Sequence, residues 1–186
     1  MVDRELELVA PHARYVEAMM ASYGDARPGD VAVEQTFPTR KQWYRFLEEA
    51  PLGHENTPRH ADRCPTYHFW MRLRQGYGAP APMAGTISLR IGTGEDLEYY
   101  FGHIGYGVYP PSRGRRYAER ACRLLLPLAR AHGINPLWIT TDPANGPSRR
   151  TCERLGAELV DIVDIPGDHV LYARGQRKKC RYRIEI

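Results

Sequence analysis

Three arginines, Arg113, Arg115 and Arg116, surround Gly114 in the run PPSRGRRYA (110–118), between an apolar stretch, GHIGYGV (102–108), and an amphipathic one, ACRLLLPLARA (121–131). A helix that starts here presents unpaired N–H groups and a partial positive charge at its first turn, so it attracts an anion. Gly114 has no Cβ to hold a ligand off the backbone. Positive side chains at a helix N-terminus are unfavourable for the helix itself, and that conflict points to an external anion. A diphosphate suits several consecutive amides. The alternative is a solvated arginine cluster, which an arginine-rich chain produces without any ligand.

Other reactive side chains group less well. Cys64, Cys122, Cys152 and Cys180 lie far apart and no pair has CxxC spacing, so neither a zinc knuckle nor a dithiol motif is read. Cys122 falls in an apolar helical pattern, where a thiol behaves as a small hydrophobe. His54, His60, Cys64 and His68 lie within fifteen residues, but their spacing fits no zinc pattern, and a solvated loop is the reading; no metal is expected. Tyr99, Tyr100 and Phe101 read as sheet packing rather than as the wall of a pocket.

The elements that must position these residues follow from periodicity. LELVAP (6–11) alternates as a strand; residues 12–24 place Tyr15, Val16, Met19, Met20 and Tyr23 at helical spacing. A second helix spans 39–50, capped by Thr39, with Trp43, Phe46 and Leu47 as its stripe. After a long polar loop, strands are expected at 66–74, 82–92 and 98–109. The arginine loop opens the longest helix, 113–133, with Ala118, Ala121, Cys122, Leu125 and Leu128 on one face. A strand (136–142), a short helix (147–156) ending at Gly156, and two strands from 157 to 165 and 178 to 186 complete the order β α α β β β α β α β β. A mixed sheet with helices on both faces is the natural packing.

At 186 residues, with 42% hydrophobic residues, the chain reads as one domain, 1–186, with a packed core. The net charge of +4 suits anionic ligands but is too small to argue for nucleic acid. No stacking-aromatic motif of an RNA binder accompanies the arginines. The first twenty residues are charged and then amphipathic, without a signal-peptide core, and no apolar run is long enough for a membrane span. A cytoplasmic location is expected, with no membrane partner.

The stretch GHIGYGVYPPSRGRRYAERACRLL (102–125) resembles the cofactor motif of the GNAT superfamily of acyl-CoA-dependent N-acyltransferases, whose loop follows R/Q-x-x-G-x-G/A, here Arg113 to Ala118. Arg116 stands where the family has glycine. LWITTDPANGPSRRTCERLGAELVD (137–161) is similar to the family's second half-motif, and the GHIGY strand resembles that of a bacterial subgroup of predicted acetyltransferases. The resemblance implies an α/β GNAT fold: a mostly antiparallel sheet of about seven strands, splayed between the fourth and fifth, with acyl-CoA, most plausibly acetyl-CoA, in the gap. Pantetheine would pair with the edge near Tyr106, Gly107 and Val108. Arg113, Gly114, Arg115, Arg116, Tyr117 and Ala118 would hold the pyrophosphate, and Asn145 and Ser148 would face the arm or hold the loop. An amine would attack the thioester directly, with the oxyanion on a strand-four N–H. His103 occupies a position where relatives carry a carboxylate, so it is the candidate base, with Glu98, Tyr106 or a water chain behind it. Cys152 aligns with the family's usual tyrosine acid; otherwise it is a buried helix residue and the thiolate takes its proton from water. The competing reading is a GNAT-fold module that binds acyl-CoA without turnover. The amine acceptor is not legible, its pocket being expected from loops 24–38 and 51–65, and a homodimer stays open.

Overall fold

The computed structural model describes residues 1–23, 39–49 and 64–186. The two loops expected to build an acceptor pocket therefore lie outside the described residues, except for 64 and 65, as do His54 and His60.

Among the described residues, eight strands form two antiparallel sheets. The first has the order β1-β2-β3-β4-β5, from Val2–Asp3, Leu6–Val9, Thr66–Leu73, Met83–Arg90 and Ile104–Val108. The second has the order β6-β8-β7, from Leu137–Thr141, Lys178–Ile184 and Glu158–Asp164. Apart from the two-residue β1, these are the seven strands expected, and the sheet parts between β5 and β6, the fourth and fifth of that count. Helices α1 (Val16–Tyr23), α2 (Arg40–Glu49), α3 (Tyr117–Ala131), α4 (Gly146–Leu155) and the one-turn α5 (Val170–Ala173) complete the chain.

Each sheet face covers its own core. On one, Ile87, Leu89 and Ile104 pack against Ala121, Cys122 and Leu125 of α3, all buried. Burying each large aliphatic side chain there contributes about 1.5–3 kcal/mol. The buried positions of α3 recur at helical spacing, as expected, except that Ala129 rather than Leu128 is the fully covered residue at its end. On the other face, Val16 and Met19 of α1 and Trp43 of α2 meet Trp70, Met83 and Tyr109. The start of α2 is a reciprocal cap: Thr39 Oγ1 accepts from Gln42 N–H, and Gln42 Oε1 accepts from Thr39 N–H.

Two expectations are corrected. Residues 98–109 are not one strand: Leu97–Phe101 form a π-helical turn and β5 begins only at Ile104. The break is Gly102, at φ +69°, where the chain reverses into the strand. The long helix starts at Tyr117, not at 113; Arg113–Arg116 are loop.

Candidate active site at the parting of the sheets

β5 is paired on one side only. Its partner β4 meets it with Ser88 opposite Gly105 and Thr86 opposite Gly107, and Tyr109 N–H bonds Ala84 O at 2.8 Å. By the alternation of an antiparallel ladder, the backbone groups of Gly105 and Gly107 point to β4, and those of Tyr106 and Val108 point away, toward β6. Val108 O accordingly accepts from Arg113 Nε at 3.1 Å. Gly107, expected at the open edge, thus spends its own backbone on β4; the exposed donors and acceptors belong to its neighbours.

The loop beyond β5 is an amide cradle. Gly114 (φ +78°) and Arg116 (φ +58°) both sit in the left-handed region, and a Cβ placed on Gly114 would meet nothing within 4 Å. The amides of Gly114, Arg115, Arg116, Tyr117 and Ala118 make no backbone hydrogen bond within the described structure; the first to bond back is Arg120 N–H, to Arg116 O at 3.1 Å. Such a run of unpaired amides with a helix dipole behind it favours an anion. Arg116 is exposed, as are Arg113, Gly114 and Arg115. Arg115 donates to Gly78 O at 3.2 Å. Tyr117 and Ala118 turn their side chains into the core and offer only their amides.

α4 faces the gap from the β6 side. Asn145 is its cap, Oδ1 accepting from Ser148 N–H at 3.2 Å. Ser148 Oγ lies 2.9 Å from the Tyr106 hydroxyl, which reaches across from β5. Burial, with the neighbouring Cys122 and Cys152, pushes the Tyr106 phenol up, so it stays protonated at neutral pH.

The two residues expected to move protons are placed otherwise. His103 is 2% exposed and precedes β5; its Nδ1 accepts from Trp138 N–H at 2.9 Å and its Nε2 lies 3.1 Å from Gly92 O. Both ring nitrogens are therefore engaged by backbone, and no lone pair is left for an amine. Burial lowers the pKa of the ring, which keeps it neutral. Cys152 is fully buried in the core beside α3, and desolvation pushes its thiol up to about 12. A group so far from water and so reluctant to ionise is a poor acid for a thiolate. Sequence reasoning missed the Tyr106–Ser148 pair because its members lie 42 residues apart and only the fold brings them together.

The remaining candidates are structural where they are described. Cys64 Sγ donates to Ile91 O at 2.8 Å, and the His68 ring packs edge-on to Phe46. Tyr99 covers the Arg181 guanidinium, while Tyr100 and Phe101 pack at a tilt against His169. Among the described residues no group of three or more His, Cys, Asp or Glu could hold a metal, and no helix is long and apolar enough to cross a membrane.

Among curated proteins no sequence matches. Several solved structures share the fold, among them three acetyltransferases. The microcin C7 self-immunity acetyltransferase MccE, in complex with acetyl-CoA and AMP, is 16% identical, covers 99% of this chain and 94% of its own, and has a TM-score of 0.71. A ribosomal-protein-S5-alanine acetyltransferase from Vibrio fischeri is 16% identical over 97% and 91%, with a TM-score of 0.63. An acetyltransferase from Agrobacterium tumefaciens str. C58 is 20% identical over 100% and 94%, with a TM-score of 0.62. The family model described as acetyltransferase (GNAT) domain matches residues 6–158, from β2 to the start of β7 and across the whole parted region, and the chain belongs to that family.

Proposed function

We propose that the protein is an N-acetyltransferase that moves an acetyl group from acetyl-CoA to a primary amine by direct attack. The observation that carries this reading is the continuity of backbone donors: the open edge of β5 at Tyr106 and Val108 leads straight into the unpaired amides of Gly114 to Ala118. An extended amide-bearing arm would add to that edge as a strand does, and a diphosphate would close on the cradle. The residues fit acyl-CoA on two counts: space where a Cβ would stand at Gly114, and positive charge from Arg113, Arg115 and Arg116 around it. MccE, of the same fold, is described in complex with acetyl-CoA, which agrees with that substrate.

The chain's own contribution to chemistry is then positioning and hydrogen bonding. A β5 N–H facing the gap supports the developing oxyanion. The Ser148 hydroxyl, held by Tyr106, would serve as the donor to the departing thiolate in place of Cys152. With the His103 lone pair engaged, the ammonium loses its proton to water or to Glu98. The acceptor is an amine; in one neighbour it is described as an alanine of a ribosomal protein, so peptide N-termini belong in the panel beside small amines and lysine peptides. The reading of a module that binds acyl-CoA without turnover draws on the same placement of His103 and Cys152. Release of free CoA thiol from acetyl-CoA, followed across that panel, decides between them. Amine-dependent release supports the enzyme, and tight binding with no release for any amine supports the module.

A further inference from the structure

The ring of His103 performs a task that a sheet ordinarily gives to backbone. Where the two sheets touch, His103 N–H donates to Trp138 O at 2.7 Å. The His103 carbonyl is turned to β4, where it accepts from Arg90 N–H at 2.8 Å, and the Trp138 amide does not bond to it. His103 Nδ1 accepts it instead, at 2.9 Å. An amide only donates and a carbonyl only accepts, so Nδ1 carries the lone pair, and Nε2 carries the hydrogen given to Gly92 O. One residue thus offers β6 both a donor and an acceptor, as a paired strand would. Past that point β5 and β6 belong to separate sheets.

Three neighbours clamp the same joint. A Cβ on Gly102 would stand 2.8 Å from Thr140 N, so only glycine lets the chain come this close to β6. Thr140 Oγ1 donates to Tyr100 O at 2.7 Å. Arg181 lies between the rings of Tyr99 and Trp138 and donates through Nε to Glu98 O at 3.2 Å. On the β5 side none of these contacts reaches past His103.

We infer that His103 is a positioning residue of the acyl-CoA cleft: its imidazole is the last rung between the two sheets and fixes where β5 and β6 part. The inference rests on reading that gap as the acyl-CoA site. The edge groups of Tyr106 and Val108 and the cradle at 114–118 meet one extended ligand only if the parting begins where it does. A rung lost at 103 frees β5 to shift against β6, and the two halves of the site fall out of step. The ring serves in its neutral form. Arg90 from β4 disfavours its protonation, Glu98 from the π-helical turn favours it, β6 presents only the Trp138 backbone, and burial decides the balance.

Asparagine and glutamine separate the two functions of the ring without titrating. The Asn side-chain oxygen falls near the place of Nδ1 and can accept from Trp138; the Gln nitrogen falls near the place of Nε2 and serves Gly92 alone. Wild type, His103→Asn, His103→Gln and His103→Leu are compared by hydrogen exchange at the Trp138 amide and by calorimetric titration with CoA. Losing one well-made hydrogen bond is worth about tenfold, so the Trp138 amide should exchange roughly tenfold faster in Gln and Leu than in wild type and Asn. CoA affinity should fall by about tenfold or more in Gln and Leu and stay within about threefold in Asn. A base at 103 would instead leave CoA affinity intact in every variant. Unchanged Trp138 protection in Gln, or lost protection with unchanged CoA affinity, overturns the inference, and neither result needs the Leu variant to fold. Wild-type protein that fails to bind CoA sinks the acyl-CoA reading and the cleft role together, while the exchange pattern still decides who holds the joint.

Discussion

Arg116 carries a backbone cost that its neighbours do not. A non-glycine residue at φ +58° loses about 1–2 kcal/mol to the clash of its Cβ with the following carbonyl. Glycine at this position in the resembled motif avoids that cost. Arg116→Gly should therefore stabilise the protein by about 1 kcal/mol, a rise in melting temperature of roughly 2–4 °C for a chain of this size. A scanning calorimetry trace with an unchanged or lower midpoint contradicts this account of the loop. The two desolvated histidines make a second expectation at the same scale. Desolvation, and then Arg90, lower His68 from 6.5 to about 4, and His103 is lowered as well, chiefly by desolvation. Both bind protons more readily in the unfolded chain than in the folded one. Their contribution to stability is complete above about pH 6.5 and is lost as pH falls from there toward the folded values. Denaturant midpoints should drop between pH 7 and pH 5, and His68→Gln should flatten that drop; a profile equally steep in the variant contradicts it.

At the scale of elements, the joint between the sheets leaves little room for added bulk. Gly102→Ala adds a Cβ 2.8 Å from the Thr140 nitrogen on a residue at φ +69°. The expected loss is about 2–4 kcal/mol, read as a lower urea midpoint, and an alanine variant as stable as wild type would show that β6 can yield there. This joint is also where sequence reading stopped. The stripes of α2 and α3, the Thr39 cap and the strand order were legible because each depends on spacing within one element. EYYFGHIGYGV reads as a continuous strand because aromatic and β-branched residues favour one. The π-helical turn inside it depends on Arg181, Thr140 and Trp138, which the chain supplies 37 or more residues later. His103 was legible as a residue of interest and not in its role, since its partner is a backbone amide on another strand. The cradle was legible as a candidate anion site from Gly114 and the nearby helix start; that Arg116 takes a left-handed conformation was not.

For the molecule as a whole, two cores on opposite faces of one sheet leave a seam between β5 and β6 where, past His103, no backbone rung joins the two strands in the described structure. Arg120 ties α3, the helix behind that seam, to the first hairpin through Asp3 (2.7 Å) and Glu5 (2.8 Å), so the helix end of the cradle is anchored. The account therefore makes the seam and its cradle one ligand site. Calorimetric titration of acetyl-CoA into wild type and Gly114→Glu, each shown folded by its melting curve, tests that most directly. A carboxylate at 114 would stand where the diphosphate should lie, and affinity should fall by at least about a hundredfold, roughly 2.7 kcal/mol. Equal affinity in a folded Gly114→Glu protein, or no binding by wild type, would contradict it.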